Sequence, residues 1–238
     1  MIYIARMKNP SSTVAEVADP LAVEVVSDLI CPWCYIGKRR LERAGRLLEP
    51  KRLQVRWKPF QLNPDMPAEG MERRKYRTRK FGSWAHSQAL DAEVVAAGKE
   101  VGIAFEYVKM TRTPNTLAGH KLLWLAGERR CQGALAEKLF SAYFVEGRDV
   151  GDVQVLTDIG VEVGLMPKDI AEALSGKIAA TAVAREEELA RHAGIRGVPT
   201  FMVQGKALGS GAQPEHLLAA VLDKAFAETT EPTCSDAR

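Results

Sequence analysis

Apolar and polar positions follow different periods along the 238 residues, and the changes of period divide the chain. Ala22 to Val26 is apolar and β-branched, which predicts a buried strand over about 21–27. Apolar residues then fall at Trp33, Ile36, Leu41, Ala44 and Leu48, a helical spacing that predicts a helix over about 32–48, ending at Pro50. Leu53, Val55 and Trp57 alternate with Gln54, Arg56 and Lys58, a period of two that predicts a second strand. Strand, helix and strand in direct succession form a βαβ unit, which requires a parallel pair and a right-handed crossover.

The prolines of Phe60-Gln61-Leu62-Asn63-Pro64-Asp65-Met66-Pro67 stop that strand. From about 69 to 193 helical spacing dominates and no convincing strand appears, which predicts an inserted helical domain. Its first helix is crowded with Arg73, Arg74, Lys75, Arg77, Arg79 and Lys80. Glu69 and Glu72 interrupt this charge, which favours a solvated helix face over an anion-binding patch. Further helices are predicted over Asn115 to Leu125, Leu135 to Phe144, Val153 to Gly164 behind an Asp152 cap, Pro167 to Leu174, and Ala179 to His192. The aromatic residues Trp124, Phe140, Tyr143 and Phe144 read as core. Strand character returns in Phe201-Met202-Val203, and with a turn at Gln204-Gly205 and Ala207-Leu208 it predicts a β-hairpin. Pro214 then opens a helix with Leu217, Leu218, Val221, Leu222 and Ala225 expected on one face. Residues 1–20 read as a loose leader, and 227–238, with Cys234, as a disordered tail.

Composition narrows the class. With 46% hydrophobic and 26% charged residues the chain has an ordinary globular balance, and a net charge of +3 is too small to imply nucleic-acid binding. No apolar run approaches the ~20 residues of a membrane span. Met1 to Ala5 is followed by Arg6 and Lys8, without the ~7–15-residue apolar run of a secretory signal. The expected location is therefore the cytoplasm, where thiols stay reduced and a Cys-x-x-Cys is catalytic or metal-binding.

That motif is Cys31-Pro32-Trp33-Cys34, set where the first strand hands over to the helix, with Pro32 suited to the first helical position. The unsatisfied N–H groups of a helix start favour an anion, and so the thiolate of Cys31. One turn along, Cys34 is placed to attack a mixed disulfide formed at Cys31. A structural zinc site needs a second ligand pair; Cys131 and Cys234 are isolated and no two histidines have ligand spacing, so no metal is expected. Asp28 either modulates a cysteine or caps local N–H groups. His120 is either a neighbour of the sulfurs or a structural histidine. A zinc- or partner-binding module is the non-catalytic alternative.

Ser27-Asp28-Leu29-Ile30-Cys31-Pro32-Trp33-Cys34-Tyr35-Ile36-Gly37 resembles the FrnE-like branch of the DsbA superfamily. Phe60-Gln61-Leu62-Asn63-Pro64, Pro114-Asn115-Thr116 with His120, Leu139 to Phe144, Gly197-Val198-Pro199-Thr200-Phe201 and Ser210 to Pro214 agree with it. The resemblance implies an α/β thioredoxin fold interrupted by a large helical insertion domain. Its halves would fall at 21–65 and 194–226, around an insert at 66–193. It implies a protein-disulfide oxidoreductase with Cys31 and Cys34 as catalytic pair, and Pro32, Trp33, Val198 and Pro199 at the substrate. Pro199 would be a cis proline that leaves the Val198 backbone free to pair with an extended substrate. The family pattern of Asn115 and His120 also suggests His120 as a neighbour of the sulfurs, so Asp28 by its position and His120 by the resemblance are the candidate pKa modulators. Partners would be protein or small-molecule thiols and disulfides, with no nucleic acid and no membrane, for a monomer or homodimer. No tightly bound cofactor is implied; glutathione or another thiol would be co-substrate. Related 2-hydroxychromene-2-carboxylate isomerases and kappa-class glutathione transferases typically carry Ser at the position of Cys31. A glutathione-dependent isomerase or transferase acting on a small aromatic or polyketide-like compound is thus the alternative function.

Overall fold

The computed structural model describes residues 19–230. The expected leader, apart from Asp19 and Pro20, and the tail from residue 231, with Cys234, lie outside the described residues. Strand β1 (Leu21–Ser27), helix α1 (Pro32–Leu47) and strand β2 (Leu53–Pro59) form the predicted unit, with β1 and β2 parallel in the register Val25 opposite Trp57. Strands β5 (Thr200–Val203) and β6 (Lys206–Ser210) are the predicted hairpin. Gln204 and Gly205 turn it at φ of 49° and 75°, the positive values that a two-residue turn matching the strand twist requires. The sheet runs β2-β1-β5-β6, with β5 antiparallel to β1. The late hairpin therefore completes a sheet begun by the first strand, which is the interrupted thioredoxin fold.

Alternation along β1 divides the sheet's faces. Val23 and Val25 are fully buried on the face that meets α1, whereas Val26 joins Phe60, Ala190, Ile195 and Met202 in a small cluster on the other. Helix α9 (Glu215–Thr230) packs along α1 with Leu218, Leu222, Ala225 and Phe226. Two expectations change here. Leu217 and Val221 are 47% and 38% exposed, because the contact with α1 is centred one residue further round the helix. The helix also continues past 226 into the stretch expected as tail, anchored by buried Phe226, whose carbonyl accepts from the Thr229 hydroxyl at 2.8 Å.

The insert comprises α2 (Arg73–Phe81), α3 (Trp84–Glu100), α4 (Leu117–Glu128), α5 (Gln132–Ser141), α6 (Val153–Glu162), α7 (Pro167–Ser175) and α8 (Lys177–His192). Asp152 caps α6 as expected, accepting from the amides of Gln154 and Val155. A two-strand pairing of Met71–Glu72 (β3) with Arg112–Thr113 (β4) corrects the expectation of a strand-free insert. The insert does not keep a separate core. Leu122, Leu139, Phe140 and Phe144 belong to the same buried cluster as Val25 and Phe201. It also closes a sheet edge, since the Gln132 carboxamide pairs with Trp57, accepting from its N–H at 2.8 Å and donating to its carbonyl at 3.1 Å.

Candidate active site

Cys31 occupies the N-cap of α1, in extended conformation (φ −91°, ψ 109°), with Pro32 at the first helical position. Its amide donates to the Asp28 carbonyl at 3.1 Å and its own carbonyl accepts from Cys34 N–H at 3.0 Å, a tight turn that leads the strand into the helix. Both sulfurs are unbonded thiols, but their surroundings differ. Cys31 is 5% exposed and donates from Sγ to the Val198 carbonyl at 3.6 Å; Cys34 is fully enclosed. Burial pushes the Cys34 thiol well up, and its hydrogen bond with Cys31 and the charge of that neighbour push in the same direction. Contacts to the Asp28 backbone and Ser27 side chain act weakly the other way. Cys34 therefore stays a protonated thiol at neutral pH.

The Val198–Pro199 peptide bond is cis. The loop carrying it lies so close to α1 that a Cβ on Gly37 would sit 2.9 Å from Pro199 Cγ and 3.4 Å from the Phe201 ring. Only a glycine lets helix and loop approach this far. Thus the structure gathers Cys31, Cys34, Val198 and Pro199 from opposite ends of the chain.

Asp28, three residues before Cys31, pairs with His120 of α4 in the interior. Asp28 is completely buried; Oδ2 accepts from Leu62 N–H at 2.7 Å and Oδ1 lies 3.3 Å from His120 Nε2. One carboxyl thus ties the cysteine loop to the segment after β2 and to α4. The carboxyl therefore caps Leu62, remote in sequence, rather than the local turn. Leu29 reinforces the tie by packing into the space left at Gly119, where a Cβ would meet Leu29 Cδ1 at 2.3 Å.

In front of Cys31 lies a cavity of about 360 Å³, walled by Cys31, Pro32 and Trp33 on one side and by α2 and α3 on the other. Trp33 is 38% exposed, so the first position of the apolar helix stripe serves the cavity rim rather than the core. Part of the basic helix faces the same cavity: Arg73, Arg77 and Lys80 line it, whereas Arg74, Lys75 and Arg79 lie on the solvated face the sequence leads one to expect. Arg73 is only 5% exposed and ion-pairs with buried Asp91, which also holds Arg77. Arg77 further donates from Nε to Ser87 Oγ at 2.7 Å and lies 4.3 Å over the Phe81 ring.

A second charged group, invisible in the sequence, locks α1 to the insert. Glu137 on α5 accepts from Tyr35 OH at 2.8 Å and from Lys38 Nζ at 2.6 Å, and pairs with Arg39. Partial burial alone would raise Glu137, but the hydrogen bond and charge of Lys38 prevail and lower it. Burial and Glu137 push the Tyr35 hydroxyl up to about 12. No periodicity or motif marks this group, because its members are brought together only by the packing of α5 on α1. Among the described residues no three His, Cys, Asp or Glu side chains assemble as a metal site, and no helix is long and apolar enough to cross a membrane.

Comparison with known proteins gives a concordant result. Residues 22–223 match the model of the DSBA-like thioredoxin domain. The protein YwbO of Bacillus subtilis (strain 168) is 24% identical over 206 residues, covering 85% of this chain and 96% of that protein. A "probable DsbA oxidoreductase" of Streptomyces coelicolor superposes with a TM-score of 0.81 at 30% identity, covering 91% of this chain and 94% of the other. A 2-hydroxychromene-2-carboxylate isomerase has the same fold, with a TM-score of 0.66 at 14% identity over 88% of this chain and 98% of its own.

Proposed function

The chain belongs to the family of DSBA-like thioredoxin domains, and from that premise we propose that it is a thiol–disulfide oxidoreductase acting through Cys31 and Cys34. One observation carries the reading: the two sulfurs share a helix start but are unequally placed, Cys31 on a cavity and beside Val198, Cys34 enclosed behind it. Cys31, as its thiolate, attacks one sulfur of a substrate disulfide. A bond forms between the two sulfurs, and the distal substrate sulfur leaves as a thiolate and takes up a proton. Cys34 then loses its proton and attacks Cys31 Sγ, so the remaining substrate thiolate leaves and Cys31–Cys34 becomes the disulfide. Two electrons pass from the cysteine pair to the substrate; a thiol such as glutathione returns them, and no tightly bound cofactor takes part. Protein and small-molecule disulfides are the substrate classes, and the cytoplasm the proposed compartment.

The test is trapping. Cys34→Ser should accumulate a mixed disulfide at Cys31 with substrate or glutathione and lose multi-turnover reduction of insulin, whereas Cys31→Ser should be inactive and trap nothing. A reversed pattern would name Cys34 as nucleophile. A Cys34→Ser protein that keeps full turnover on its best substrate, when even the parent does not reduce insulin, would give the site to glutathione-dependent isomerisation.

A further inference from the structure

We propose that the cavity in front of Cys31 selects disulfides that carry a negatively charged group on an apolar body, a refinement that rests on the exchange reaction proposed above. The cavity wall brings three cations, Arg73, Arg77 and Lys80, against two carboxylates, Asp91 and Glu93. The balance is uneven in position as well as in number. Asp91 is 8% exposed and is shared by both guanidinium groups, so one carboxylate answers two charges inside the protein. Glu93 on α3 and Lys80 at the rim are both exposed and screened alike by water, so the lasting excess of positive charge sits on the two held guanidinium groups. Lys80, exposed at the rim, donates to Tyr76 OH at 2.8 Å and Asn63 Oδ1 at 3.1 Å, both neutral partners that leave its charge uncancelled.

The guanidinium groups are also held in place. Arg73 lies 4.9 Å over the Tyr107 ring and 5.6 Å over Trp84, and Arg77 lies over Phe81. Fixed positive charge in a partly enclosed cleft attracts an anion without the cost of ordering its own side chains. The same cavity is lined by apolar Trp33, Val94, Met110 and Phe144 beside Cys31, and its volume of about 360 Å³ is within the range of small-molecule sites. A carboxylate at α2 and an apolar spacer along this wall would deliver a disulfide sulfur to Cys31. Exchange then proceeds as written above: substrate disulfide and protein dithiol become two substrate thiols and the Cys31–Cys34 disulfide.

The experiment measures the second-order rate at which the pre-reduced protein reacts with three reagents, each normalised to its rate with free dithiothreitol. The reagents are 5,5′-dithiobis(2-nitrobenzoate), aromatic and dianionic; 4,4′-dithiodipyridine, aromatic and neutral; and cystamine, aliphatic and cationic. The expected order is dianion, neutral, cation, with the dianion preferred about tenfold or more over the neutral reagent at low salt and the preference shrinking as salt is raised. Lys80→Gln should lower the dianion-to-neutral ratio about three- to fivefold, the size of a rim charge. Asp91→Asn should raise it, because two arginines then lose their shared carboxylate. Thermal melting identifies a variant that is not folded, and the salt series on the parent decides the point if Asp91→Asn is one. Equal normalised rates for dianion and neutral reagent, or a ratio that folded Lys80→Gln leaves unmoved, overturns the anion-selective cavity while exchange at Cys31 stands. Absence of reaction with all three reagents overturns the exchange reading itself and this refinement with it.

Discussion

Removing the Asp28 carboxyl should cost far more stability than its position in a loop suggests. The side chain is fully buried and serves two partners from different parts of the chain, Leu62 N–H at 2.7 Å and His120 Nε2 at 3.3 Å. In Asp28→Ala both lose their partner. A buried donor left unsatisfied costs about 1–3 kcal/mol, so two such losses amount to about 2–5 kcal/mol, with the longer His120 contact at the low end. Asp28→Asn has nearly the same shape, and its carboxamide can accept from Leu62 N–H while its amino group faces the histidine ring. That change should cost about 1 kcal/mol if His120 Nε2 can accept, and more if the ring presents N–H there. Urea unfolding followed by fluorescence of the chain's tryptophans measures both variants, and an unchanged m-value shows that the states compared are the same. An Asp28→Ala protein within 1 kcal/mol of the parent would refute the clamp, and so would equal costs for alanine and asparagine, which would mean that only volume matters at this site.

Two further outcomes follow from the neighbouring geometry. Gly37→Ala gains about 1 kcal/mol of helix propensity but sets a Cβ 2.9 Å from Pro199 Cγ; since overpacking costs about 1–3 kcal/mol, the net should be a loss of up to about 2 kcal/mol with a clear fall in the rate of disulfide exchange, read by thermal melting and a reagent assay on the same sample. Glu137 is lowered in the folded protein, so its contribution to stability is present above the unfolded value near pH 4.3 and is lost as pH falls through the lower folded one; Glu137→Gln should be less stable than the parent at neutral pH, and the gap, followed by urea midpoints from pH 6 to pH 3, should close on acidification.

The parts of this architecture visible in the sequence are those fixed by local period. β1, α1, β2 and the late hairpin each carry a pattern that neighbouring residues alone make unambiguous. β3 and β4, two residues apiece, carry none, since Met71–Glu72 is a strand only because Arg112–Thr113 lies beside it. The buried face of α9 lies one residue round from the expected one because helical spacing admits two adjacent stripes and only the position of α1 selects Leu218 over Leu217. The basic helix shows the limit for charge: counting cations along α2 cannot reveal that Arg73 and Arg77 share Asp91, a residue on the following helix, and turn inward. Cys31-Pro32-Trp33-Cys34 was legible as a motif. Its approach to Val198, 167 positions away, came from the resemblance, since no local pattern encodes a contact between chain ends.

The unequal burial of the sulfurs has a consequence for the order of steps. Three influences hold the proton on Cys34: burial, the hydrogen bond with Cys31, and the charge of Cys31. Only the first belongs to the fold. Under the proposed exchange, attack on a substrate disulfide turns Cys31 into a bonded, uncharged sulfur, which removes the repulsion and ends its role as the charged partner of the second thiol. What remains near Cys34 besides burial are the Asp28 backbone and the Ser27 side chain, which both favour the thiolate. The second thiol is therefore held protonated while Cys31 is free and eased towards ionisation once the mixed disulfide exists. An enclosed resolving cysteine does not need a separate switch on this account, because formation of the first covalent bond changes its electrostatics in the required direction.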